Sequence, residues 1–150
     1  PGIIGFRSHK DIWNMKAERL ELPDDASRFE FTTIHFGAAL GLAASIDEIT
    51  DIGIQKVWAH DLELTDLLIE GVLKSGLEIA SPTNDEERSS IVSIKIPENF
   101  DTGEVVAKLQ NDYGILATNR SGFLRISPHM DNTIEEIDFF LKSLREILSI

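Results

Sequence analysis

The sequence predicts an α+β fold: two connecting helices, then a small domain of order β-β-α-β-β-α whose mainly antiparallel sheet is covered by helices on one face. Three observations predict it. From Leu77 onward, short runs of alternating apolar and polar residues give way twice to amphipathic helical stretches. Before Leu77, two long helical stretches follow one another with no strand signal between them. The composition is that of a folded chain, with 42% hydrophobic and 27% charged residues.

The elements follow in order. Pro1-Gly2-Ile3-Ile4-Gly5-Phe6 is apolar and β-prone, and its flanking glycines weaken it as an independent strand while permitting close backbone contact, so it reads as the edge of a larger sheet. Lys16 to Arg28 is mostly polar, with Pro23-Asp24-Asp25 as a turn signal, which predicts an exposed connection. Helical texture begins after Thr33. Ala38, Ala39, Leu40, Leu42, Ala43, Ala44 and Ile46 predict a small-residue helix with Gly53 as its stop. A second helix is expected from Ile54 to Ser75, on the spacing of Ile54, Val57, Trp58, Leu64, Leu67, Leu68 and Val72, with Gly76 ending it. Leu77 to Ala80 suits a short strand, and Ile91 to Ile96 alternates as a half-buried strand does. Asp101 with Glu104 suggests a capping box that opens a helix burying Val105, Val106 and Leu109, with Gly114 closing it. Ile115 to Thr118 and Phe123 to Ser127 are expected as strands joined by an Asn119-Arg120-Ser121-Gly122 turn. Asn132 with Glu135 is expected to cap the last helix, whose stripe is Ile134, Ile137, Leu141, Leu144 and Leu148.

Charge and composition exclude several functions. Fourteen Lys and Arg against 26 Asp and Glu give a formal net charge of −12, which argues against a nucleic-acid or anionic-membrane surface, because phosphate binding needs clustered positive charge. With no cysteine, the chain supplies no disulfide, thiolate nucleophile or Cys-ligated metal. No apolar run reaches the ~18 residues of a membrane span, and a cytoplasmic setting is expected. The four histidines, His9, His35, His60 and His129, show no metal-like spacing, so no metal site is expected. Trp13, Trp58, Phe139 and Phe140 read as packing residues.

Three stretches together resemble the C-terminal part of the class V aminotransferases, the cysteine-desulfurase-like branch of the fold-type I pyridoxal-phosphate enzymes. Arg28-Phe29-Glu30-Phe31-Thr32-Thr33 is similar to the family's Arg-Phe-Glu followed by a small residue and Thr. Leu124-Arg125-Ile126-Ser127-Pro128-His129, running on to Asn132-Thr133-Ile134-Glu135-Glu136-Ile137-Asp138, resembles the family's Arg-x-Ser before Asn-Thr-x-Glu-Glu-Ile-Asp. Pro1 to Phe6 resembles the glycine-rich strand that follows the family's Schiff-base lysine.

The resemblance implies a fragment. Residues 1–32 would be the C-terminal edge of the large cofactor domain and a connector, 33–76 the connecting helices, and 77–150 the small C-terminal domain. The full-length parent would be a pyridoxal 5'-phosphate enzyme, a homodimer acting on an amino acid or small carboxylate by transamination or elimination. The aldimine lysine would lie upstream of Pro1, leaving the fragment inactive, with no catalytic residue and without the cofactor. Lys10, in Ser8-His9-Lys10, comes after the glycine-rich strand rather than before it and reads as a solvated loop lysine. The desulfurase branch uses a mobile cysteine between the last two strands. This chain has none there, so a persulfide mechanism is not expected.

Two sets of residues are candidates for binding. Thr32 and Thr33 precede the first helix, where free N–H groups and the helix dipole favour a phosphate; the resemblance implies contact with the cofactor phosphate of a neighbouring subunit, and a simple helix cap is the alternative. Arg125 lies mid-strand, where a guanidinium can offer a planar fork to a substrate carboxylate, or pair with a nearby acid at the surface. A freestanding small-anion-binding or dimerisation module without catalysis is the alternative for the whole chain.

Overall fold

The computed structural model describes residues 2–150 apart from Met15, Ala17 and Arg19; Pro1 of the expected sheet edge and Ala17 and Arg19 of the expected connection thus lie outside the described residues. The chain forms two compact units, Pro1–Glu48 and Ile49–Ile150.

In the first unit the expected sheet edge is not a strand. Phe6–Ser8 and Ala26–Phe29 are short 3-10 turns, and Ile3 and Ile4 are exposed. The polar groups here are satisfied by local contacts instead of a ladder. The Ser8 hydroxyl, fully buried, donates to the Glu30 carbonyl at 3.0 Å and accepts from the Gly5 N–H at 3.1 Å, and the Arg7 guanidinium meets the Glu30 carboxylate at 2.6 Å. The close backbone approach expected of the glycines is present at Gly5, where a Cβ would fall 1.7 Å from the Phe31 carbonyl oxygen. Helix α1 spans Phe36–Ile52, starts two residues before Ala38, and buries none of its residues.

The second unit holds the core. Helix α2 runs Ile54–Lys74, between Gly53 (φ +97°) and Gly76 (φ +76°), glycines whose backbones adopt the positive φ that ends one helix and turns the chain. Strands β1 (Glu78–Ile79) and β2 (Val92–Lys95), helix α3 (Thr102–Tyr113), strands β3 (Thr118–Arg120) and β4 (Phe123–Ile126) and helix α4 (Ile134–Leu148) follow. The sheet is antiparallel throughout, in the order β1-β2-β4-β3.

Strand periodicity puts Val92, Ile94 and Leu124 on one face, all essentially inaccessible. They join Leu64, Leu68 and Val72 of α2, Val105 and Leu109 of α3, and Ile137, Phe140, Leu141, Leu144 and Leu148 of α4 in one continuous core. The helices therefore cover one face of the sheet and leave the other open, which is the α+β arrangement expected. α2 and α4 approach closely at Gly71, where a Cβ would lie 2.2 Å from a Leu141 methyl.

One local expectation holds and two need correction. Asp101 does cap α3, its carboxylate accepting from the Glu104 N–H at 2.9 Å. The α4 cap is one residue later than expected: Thr133 accepts from the Glu136 N–H, and the Glu136 carboxylate accepts from the Thr133 N–H at 3.0 Å. Ile134, expected in the apolar stripe, is exposed, and Phe140, absent from the expected stripe, is in the core. The second correction concerns β3, which occupies Thr118–Arg120 rather than 115–118. The connection to β4 is only Ser121-Gly122, with φ of +53° and +86°, the paired positive values of a two-residue hairpin turn that matches sheet twist.

Candidate functional site

The open face of the sheet carries the residues that alternate with the core set. The β1–β2 register pairs Glu78 with Lys95, and the β2–β4–β3 registers align Ser93, Arg125 and Thr118, with Arg120 opposite Phe123. Lys95 is neutralised there by Glu78, 3.2 Å away. Arg125 is half-buried, its Nε enclosed and without a hydrogen-bond partner, and among the described residues it forms no ion pair. An enclosed guanidinium nitrogen without a partner costs about 1–3 kcal/mol, so Arg125 is placed here at an energetic cost in a chain with 26 acidic residues. The surface salt bridge considered for Arg125 is not formed.

Thr32 and Thr33 lie in the first unit, both exposed, ahead of α1. The capping role considered for them falls to His35, whose Nδ1 accepts from the Ala38 N–H at 3.0 Å. Their hydroxyls are therefore not engaged in closing the helix. Lys10 is 45% exposed, with Glu21 at 3.5 Å and Asp24 at 3.6 Å; this is a solvated loop lysine with two carboxylate neighbours.

His60 and His129 have separate structural partners. The His60 ring meets the Asn132 carbonyl at 2.9 Å, and Nδ1 of His129 lies 3.1 Å from the carboxylate of Asp61. No three His, Asp or Glu side chains among the described residues are grouped to hold a metal. Phe140 is buried and Phe139 meets Tyr113 edge-on at 6.3 Å, whereas Trp13 is 80% exposed. A cleft of about 410 Å³, lined among others by Tyr113, Leu116, Asn132, Glu136 and Phe139, opens beyond the end of β4; neither Arg125 nor the threonines line it. At its rim the Asn132 amide, then the Thr133 N–H, hold the Glu136 carboxyl below its ordinary range, and partial burial followed by the Glu146 carboxylate raises the Tyr113 phenol.

Arg120 was not a sequence candidate, because the four polar residues 119–122 read together as a turn. The signal that could have found it is Ser121-Gly122 read alone as a two-residue turn, which would have carried β3 through Arg120.

The family model "Aminotransferase class-V" matches residues 10–140, and the chain belongs to that family. It is 27% identical to a probable cysteine desulfurase of Pyrococcus abyssi over 159 residues, spanning 99% of this chain and 39% of the relative. It is 31% identical to a probable cysteine desulfurase of Methanothermobacter thermautotrophicus over 144 residues, 84% of this chain and 35% of that protein. Among solved structures, the apo cysteine desulfurase from Thermococcus onnurineus NA1 superposes with a TM-score of 0.79 at 26% identity, covering 99% of this chain and 39% of the other. The cystine C-S lyase C-DES, in complex with cysteine persulfide, shares the fold at a TM-score of 0.74 and 19% identity, over 94% of this chain and 37% of its own. The chain thus spans well under half the length of the relatives it matches. No helix among the described residues is long and apolar enough to cross a membrane.

Proposed function

We propose that this chain is the C-terminal part of a pyridoxal-phosphate-dependent class V enzyme acting on an amino acid by transamination or elimination, and that Arg125 holds the substrate's carboxylate. Residues 1–32 close the edge of the cofactor domain, 33–76 connect, and 77–150 form the small domain. The observation that carries the reading is the unfilled guanidinium of Arg125 on the open sheet face, its Nε enclosed without a partner. A guanidinium on a strand is held in place and makes two parallel hydrogen bonds to a carboxylate.

The donors in this chain fit a carboxylate better than the whole cofactor. Lys10 has two acidic neighbours, an unsuitable setting for an imine-forming lysine, which needs a desolvated or cation-adjacent site. That lysine is assigned to a segment outside this chain. Thr32 and Thr33, exposed ahead of α1, are suited to the phosphate of a cofactor held by a second subunit, in a cytoplasmic homodimer. When bound, the cofactor supplies the electron sink. This chain's part is to orient the amino acid by its carboxylate. The two-residue β3–β4 turn and the absence of cysteine leave no thiol on this hairpin to carry a persulfide.

The test is Arg125→Lys and Arg125→Ala in the full-length protein. A lost charged hydrogen bond is worth about 1.5–3 kcal/mol, so catalytic efficiency toward amino acids falls at least roughly tenfold, more for Ala, with the melting temperature little changed. Unchanged substrate affinity in a well-folded Arg125→Ala protein would remove Arg125 from the site. The second reading, a dimerisation module without chemistry, draws on α1, where Phe36, Leu40, Leu42 and Ile46 are all more than half exposed. A start codon at Pro1 would favour it.

A further inference from the structure

We infer that Arg120 is a second anion-binding residue of the Arg125 site, and that the substrate is an amino acid whose side chain ends in a second carboxylate. The inference rests on the proposed role of Arg125 and extends it. Three observations carry it. The register Thr118↔Arg125 and Arg120↔Phe123 puts both arginines on the open face, as diagonal neighbours across β3 and β4. Such positions stand about 7–8 Å apart, within reach of long side chains.

Neither guanidinium forms an ion pair among the described residues, although Lys95 on the same face is matched by Glu78. Two adjacent unpaired cations repel each other, and on an acidic chain they mark a place where negative charge is to be supplied from outside.

The backbone that carries Arg120 is held in place. It is the last residue of β3, followed by the Ser121-Gly122 turn, and the hairpin is tied at both sides: the Asn119 side-chain oxygen accepts from the Gly122 N–H at 3.1 Å, and the Thr102 hydroxyl of α3 donates to the Gly122 carbonyl at 2.9 Å. A tied strand end fixes the register that sets the two arginine backbones as diagonal neighbours, and that spacing favours a dianion long enough to reach both side chains. One carboxylate fills one guanidinium fork, so the second fork selects a second carboxylate.

The experiment follows the arginine Nε resonances of this chain during titration with succinate and, separately, acetate. Succinate is expected to shift both Arg125 and Arg120 saturably and to bind at least about tenfold more tightly than acetate, with Arg120→Gln abolishing that preference and Arg120→Lys retaining part of it. In the full-length enzyme, the ratio of catalytic efficiency for L-aspartate or L-glutamate over L-alanine should fall about tenfold in Arg120→Gln. A shift at Arg125 with none at Arg120, or equal losses for acidic and neutral amino acids, overturns this inference and leaves the role of Arg125 standing. Silence at both arginines overturns the two together.

Discussion

Asp61 is 4% exposed, and the partner of its carboxylate is the ring of His129, reached from the loop after β4. Beside it, His60 meets the Asn132 carbonyl, so two adjacent α2 residues pin the same loop. Removing the ring leaves a buried carboxylate without its partner, which costs about 1–3 kcal/mol. His129→Ala should therefore lower stability by that amount in urea denaturation, and an unchanged midpoint would mean that water satisfies Asp61 equally well. Glu136 behaves differently, because it is exposed and its carboxyl lies below the ordinary value of 4.5 through donors from Asn132 and Thr133. A depressed carboxyl contributes stability above its unfolded value, and that contribution is lost as pH falls through the folded one. Glu136→Gln should accordingly destabilise α4 at neutral pH, with the gap to the parent closing in acid below about pH 4.5; a gap constant with pH would contradict the cap as the cause. At this scale the place of Arg125 on a strand was legible, because apolar residues alternate around it. His129 was not, since its partner lies 68 positions away in sequence and no local pattern announces it.

The elements were more legible than their ends. Helical periodicity placed α2 and α4, and alternation placed β2, because burial on one face leaves a mark in sequence. The start of β3 was missed by three residues: Ile115 and Ala117 pack against the core from a non-strand segment, so their apolar character mimicked a strand, and the ladder begins only at Thr118. The consequence is functional, since the shift carries Arg120 onto the sheet. Gly122, at φ +86°, sustains this register. A residue with a Cβ in the left-handed region costs about 1–2 kcal/mol. Gly122→Ala should lower the melting temperature by the corresponding few degrees and weaken succinate binding more than acetate binding, because the hairpin end that carries Arg120 is displaced. An equal effect on the two anions would show that the turn does not set the spacing. Gly71 tests α2 against α4 in the same way: the added Cβ meets a Leu141 methyl at 2.2 Å, so Gly71→Ala is expected to cost about 1–3 kcal/mol through overpacking, read as a lower denaturation midpoint.

At the scale of the whole molecule, burial is distributed unequally. Among the described residues, every buried hydrophobic residue lies between Val57 and Leu148, whereas the buried residue in Pro1–Glu48 is Ser8. A segment of fewer than about 50 residues with no disulfide and no apolar interior cannot offset its chain entropy alone. Ile49–Ile150, in contrast, contains the complete sheet, α2, α3, α4 and the core they enclose. The piece Ile49–Ile150 should therefore melt cooperatively within a few degrees of the 150-residue chain, and Pro1–Glu48 should show no transition. The cut also removes Phe36, Leu40, Leu42 and Ile46, whose exposed side chains leave α1 with an uncovered apolar surface. Apolar surface of this kind is removed from water by association, at about 25 cal/mol per Å². Sedimentation should then show the 150-residue chain self-associating with rising concentration and Ile49–Ile150 remaining monomeric, with the anion response of Arg125 and Arg120 intact in both. Loss of cooperative melting in Ile49–Ile150 would mean that the first 48 residues complete the core, and equal association of the two chains would place the sticky surface on the sheet domain instead of on α1.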